Sequence, residues 1–173
     1  LYVPFVGLAC WGLDMPFMKR FSSSYLKKHP EKKGQDIEST KASCAKFKYI
    51  PTTIINFVEG TRFSKSKHVS SGSDFDNLLP PKAGGIAFTL AAMGHLFSGV
   101  LNVTLNYPDN AVPGQDMLLG KLKRVQVKVE VHEVSDEIVG DYFNDDAFKA
   151  RFQGWLNDVW IKKDKLIAKL NNQ

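Results

Sequence analysis

The sequence predicts an α/β fold, a single domain in which a mixed sheet is flanked by helices. Three observations carry that expectation. The run Ile50-Pro51-Thr52-Thr53-Ile54-Ile55-Asn56 is rich in β-branched residues and reads as a buried strand. Val100–Tyr107 alternates and stops at Pro108, a second strand. In the third, Val125, Val127, Val129 and Val131 alternate with Gln126, Lys128, Glu130 and His132, the period of two expected of a half-buried strand. Helical stretches separate and follow these runs, and 173 residues suffice for one domain with a substantial core.

The elements follow in chain order. Leu1–Leu13 is uncharged and carries Tyr2, Phe5, Val6, Leu8, Trp11 and Leu13, so it suits a buried or interfacial segment. Met15–Phe21 reads as a short strand, Ser22–Lys33 as a loop running into a helix, and Ile37–Lys48 as a surface helix. Phe63–Asp76 is read as a Ser-, Lys- and Gly-containing loop ended by Pro80-Pro81. Lys82-Ala83-Gly84-Gly85 then opens an apolar helix, in which Ile86, Leu90 and Met93 share a face. Its alanines, Ala87 and Ala91, keep it narrow enough to pack against a sheet. Asp109–Asp116 is a loop with Pro113-Gly114. Asn144, Asp145 and Asp146 mark a helix start, because acids favour the positive end of the helix dipole. Phe148, Phe152, Trp155, Leu156, Val159, Ile167 and Leu170 then form a core stripe.

Composition is ordinary for a globular chain, with 43% hydrophobic and 24% charged residues. Cys10 and Cys44 have neither metal-site spacing nor the pattern of a disulfide framework, so no metal site is expected and a reducing compartment is. No apolar run is long enough to span a bilayer. The net charge of +5 is uneven: nine Lys or Arg stand against three acids between Lys19 and Lys48, leaving −1 for the rest. Such a segment attracts phosphate-bearing partners, or is a solvated helix face. Nucleic acid is not expected, since Phe21, Tyr25, Phe47 and Tyr49 form no stacking run. With the apolar opening, the segment points to peripheral attachment to an anionic membrane surface, on its cytoplasmic face.

The chemistry concentrates in Phe57-Val58-Glu59-Gly60-Thr61-Arg62. Gly60 lets the backbone turn or approach a ligand, and Thr61 adds a short donor. Arg62 offers a planar fork of donors that matches phosphate or carboxylate. Glu59 can hold that arginine or bind a substrate hydroxyl. A strand-end turn with an Arg–Glu surface pair accounts for the same residues. The glycine-rich start at Gly84 and Gly85 serves either an anion or close helix packing.

Those six residues resemble the phosphate-binding block F-P-E-G-T-R of the glycerophospholipid acyltransferases, with Val58 where most of the family has proline. The continuation through Phe63-Ser64, Lys67-His68 and Leu78-Leu79-Pro80 is similar to the subgroup containing lysocardiolipin acyltransferase. Phe17 and Arg20 fit a second block, G-x-x-F-x-x-R, whose glycine is replaced by Asp14; Lys82 with Gly84 resembles a further basic-glycine pair. Val100–Tyr107 falls where the fourth block does, with Asn102 near its usual proline. The resemblance implies a mostly parallel sheet. It also implies acyl transfer from a thioester, acyl-CoA or acyl carrier protein, to a lysophospholipid such as 1-acylglycerol-3-phosphate, with no other cofactor.

The family takes its base from an H-x-x-x-x-D pair. Five positions after His29, His68, His95 and His132 stand Gly34, Ser73, Val100 and Glu137, so that pair is missing. Since it precedes the F-x-x-R block in the family, residues 1–173 are expected to be the C-terminal, substrate-holding part of an N-terminally truncated acyltransferase domain, inactive as it stands. No catalytic residue is assigned, and His68 is read as part of the loop. The resemblance places Arg20, Glu59, Gly60, Thr61, Arg62 and Lys82 at the substrate phosphate and Phe17, Phe57 and Gly84 in the pocket. The alternative is a non-catalytic module that binds anionic phospholipid.

Overall fold

A computed structural model describes Leu8, Gly12, Lys41, Ala42, residues 44–107 and residues 113–172. The chain forms two compact units, residues 1–54 and 55–173. In the first, Lys41, Ala42 and Cys44 are helical and lead into a 3-10 turn, Ala45–Tyr49. Cys44 is buried, while Lys41 and Lys48 are exposed; of the surface helix expected over 37–48, residues 37–40 lie outside the described residues. Apart from Leu8 and Gly12, the readings of 1–13, 15–21 and 22–33, and with them Phe17 and Arg20, lie outside the described residues.

In the second unit the order is α1 (Lys65–Ser71), α2 (Ala83–Met93), a 3-10 turn (Gly94–Leu96), β1 (Val100–Asn106), α3 (Pro113–Leu118), β2 (Gln126–His132) and α4 (Asp146–Asn171). Among the described residues the sheet is a two-stranded antiparallel ribbon, with Val100 opposite His132 and Asn106 opposite Gln126. A mostly parallel arrangement is not seen among the described residues. Parallel neighbours need a crossover back to the start of the first strand. Here residues 107–125 leave and re-enter at the same end of the ribbon. The expected buried strand at 50–56 is corrected. Ile50 is extended, but the run joins no sheet among the described residues, and Ile50, Ile54 and Ile55 are exposed. A β-branched run remains a strand only where a neighbour takes up its hydrogen bonds.

The ribbon faces opposite to expectation. Thr104 and Asn106 are buried, whereas Leu101, Val103, Leu105, Val127, Val129 and Val131 are exposed. The reason is the helix that covers it. From α4, the Lys163 ammonium donates to Asn102 Oδ1 at 2.9 Å and to the Val103 carbonyl at 2.8 Å. Trp155 meets the His132 ring edge-on at 5.9 Å. A polar helix surface selects the polar side of the strands. His132, read as a surface residue, is therefore half-buried under that helix.

α4 is the spine of the unit. Asp145 caps it by accepting from the Phe148 N–H at 3.0 Å. Its apolar side packs with Phe75, Leu78, Ala83, Ala87, Leu90, Ile138 and Tyr142. Phe152 is 0% exposed and touches the rings of Tyr142, Phe148 and Trp155 at 5.5, 6.0 and 5.3 Å. α2 buries Leu90 and Met93 as its periodicity predicts, with Ile86 partly buried, and it packs on α4. The expected loop over 63–76 contains α1, opened by Ser64, whose hydroxyl accepts from Lys67 N, and closed by Gly72.

Candidate anion-binding turn

The residues singled out at 57–62 form a tight turn. Gly60 N–H donates to the Phe57 carbonyl at 2.8 Å, and Gly60 has φ of +70°, a conformation that favours glycine. Val58 packs on the core and its carbonyl accepts from Lys82 N at 2.9 Å. That bond brings the entrance of α2 against the turn. The Lys82 side chain lies over Gly60 so closely that a Cβ there would meet its Cδ at 3.2 Å and its Nζ at 3.4 Å. From α1, Lys67 Nζ donates to Thr61 Oγ1 at 2.7 Å and to the Arg62 carbonyl at 3.2 Å. Two ammonium groups thus rest on Gly60–Arg62. Arg62 itself is exposed, and its guanidinium makes no hydrogen bond or ion pair among the described residues.

Behind the turn is a second, more buried layer. Burial pushes the Glu59 carboxyl above its usual range, and a backbone hydrogen bond at Leu79 and the Lys163 charge pull it part of the way back. Burial likewise lowers Lys163, with Glu59 opposing. The Leu79 carbonyl accepts from Trp160 Nε1 at 3.1 Å, and Lys163 Nζ stands 5.1 Å from the centre of the Trp160 ring. Glu59 thus feels the charge of Lys163 on α4 and forms no ion pair with Arg62, which leaves the guanidinium available to a ligand.

Of the predicted site residues, Glu59, Gly60, Thr61, Arg62 and Lys82 are brought together. Gly84 lies in the first turn of α2, two residues beyond Lys82. Phe57 is 80% exposed, with Val58 packed on the core beside it. His68 is held by its ring: Nε2 bonds the Phe75 carbonyl, and Phe63 lies 5.6 Å away. That nitrogen carries the proton and cannot accept one. Lys67, Trp160 and Lys163 were missed. Lys67 was visible as Ser64-x-x-Lys67, a cap followed by a helix; Lys163 stands about a hundred residues from Glu59 in sequence, and no local pattern links them.

The chain is 27% identical, over 94% of its length, to the 1-acyl-sn-glycerol-3-phosphate acyltransferase delta proteins of Homo sapiens and Pongo abelii. It spans 41% of each relative's length. This distant likeness supports a relationship to the acyltransferases. No family model and no solved structure matches the chain.

Proposed function

We propose that this chain holds the phosphate of a lysophospholipid acceptor, such as 1-acylglycerol-3-phosphate, for acyl transfer from a thioester carried by coenzyme A or acyl carrier protein. The observation that carries the reading is the unengaged Arg62 guanidinium on a turn already bearing the Lys67 and Lys82 ammonium groups. Three cations around a short turn with a left-handed glycine suit a dianionic phosphate monoester. Lys82 and Gly84 at the start of α2 bring the helix's positive end toward the same group.

In the transfer, the acceptor hydroxyl oxygen attacks the thioester carbonyl, the C–S bond breaks, and the hydroxyl proton passes through a base to the departing sulfur. The residues argued here supply positioning, which converts an encounter into a held geometry. None of them is a base. The tethering of His68 Nε2 to Phe75 favours, as a second reading, a module that binds anionic phospholipid without turnover.

Calorimetric titration with lysophosphatidate and with the matching monoacylglycerol tests the assignment. The phosphate-bearing lipid should bind more tightly, and Arg62→Ala should weaken it by roughly tenfold to a hundredfold, the worth of charge-assisted hydrogen bonds. Equal affinity for the two lipids, or an Arg62→Ala variant that binds as wild type, removes the phosphate assignment. Acyl transfer from a long-chain acyl thioester should be undetectable with residues 1–173 under either reading. Turnover would place a base inside this chain.

A further inference from the structure

A second surface lies on the connection between the two strands. α3 ends in a closed turn: Leu119 N donates to Gln115 O at 3.0 Å, Gly120 N to Met117 O at 3.2 Å, and Lys121 N to Asp116 O at 2.7 Å. Gly120 has φ of +67°, the left-handed residue that such a helix end uses. The turn holds three apolar side chains outward: Met117 is 67% exposed, Leu118 84% and Leu119 56%. Leu122 alone is turned partly inward. Lys121, Lys123 and Arg124 follow, all exposed, and no acidic residue occurs from Met117 to Val129. Among the described residues none of the three cations is engaged by an acid.

We propose that this knuckle, Met117–Leu119 with Lys121, Lys123 and Arg124, docks on an anionic lipid bilayer. Three neighbouring side chains are far too few for a stable protein interface, which takes about 800 Å² from each partner. They are enough to enter the boundary between headgroups and acyl chains, where apolar groups sit about 5–10 Å deep. The cations beside them complement anionic headgroups. Nucleic acid would be served by the charges but not by Leu118. The exposed valine and leucine face of the ribbon differs: its six residues carry no charge. This surface shares no residue with the turn at Arg62, and it does not depend on the phosphate assignment.

Co-sedimentation of residues 1–173 with vesicles of phosphatidylcholine, with and without phosphatidylglycerol, tests it. Wild type should bind the anionic vesicles only. Neutralising Lys121, Lys123 and Arg124 together to Gln should weaken binding roughly a hundredfold, because each cation at such a surface is worth about a factor of five. The double variant Met117→Ser, Leu118→Ser should weaken it roughly tenfold at unchanged charge. These side chains are exposed, so far-UV dichroism and the thermal midpoint should stay at wild-type values. A control with three exposed lysines of α4 neutralised (Lys149, Lys165 and Lys169 to Gln) should lose less than the knuckle triple. The proposal is overturned if wild type ignores anionic vesicles, if the control loses as much, or if the serine variant binds as wild type. Ultracentrifugation showing a dimer that the serine variant abolishes would assign the knuckle to a second copy of the chain instead.

Discussion

Glu59 illustrates how much one carboxyl depends on its surroundings. Burial raises its pKa in the native state, so the folded chain keeps that proton to a higher pH than the unfolded chain does. Its contribution to stability is full below the unfolded carboxylate range and is lost as pH rises through the raised native value. Wild type should therefore lose stability against Glu59→Gln across that window, read as the difference in urea midpoints at successive pH values. A flat difference would mean that the carboxyl is solvated like any surface acid. Lys163 acts in the opposite sense: burial depresses it, so its contribution is complete above the ordinary lysine range and is lost as pH falls through the depressed value. The sequence made Arg62, Gly60 and Lys82 legible, because guanidinium, glycine and ammonium announce their chemistry locally. It left open whether Glu59 would hold Arg62, since that depended on which cation the fold carried to it.

At the scale of elements, α4 was the most readable. An acidic cap and a long apolar stripe specify both its start and its buried side. Phe152 lies at the centre of that stripe, and Phe152→Ala should cost about 3–5 kcal/mol in chemical denaturation. A loss under 1 kcal/mol would mean that the neighbouring rings collapse into the space. Asp164, one turn past Trp160, shows what a stripe does not reveal. It accepts from Asp76 N at 3.1 Å and Asn77 N at 2.8 Å, fastening the segment that leads to Leu79. α1 was read as loop because its serines and glycine are turn formers; Ser64 and Gly72 sit where they cap a short helix instead. Strand periodicity was correct for β1 and β2, but a period of two does not say which side is covered. The lysine and tryptophan of α4 decided that.

Composition and the apolar stretches identified a helix-and-strand protein, whereas among the described residues the run at 50–56 joins no sheet and the two strands pair antiparallel. Hydrogen-bonding partners for a strand are set by distant parts of the chain, which no window of sequence contains. Among the described residues no helix is long and apolar enough to cross a bilayer. The part of the molecule that carries Arg62 is nevertheless joined to its core at several points: Val58 to Lys82, Leu79 to Trp160, and Asn77 to Asp164.

The indole of Trp160, buried and bonded to the Leu79 carbonyl, gives this molecule an internal optical gauge. In a Trp11→Phe, Trp155→Phe background its emission should be blue, and it should redden in the same denaturant range in which helical dichroism disappears. Reddening at lower denaturant would reveal a partly opened species in which the segment around Leu79 has come away while the long helix persists.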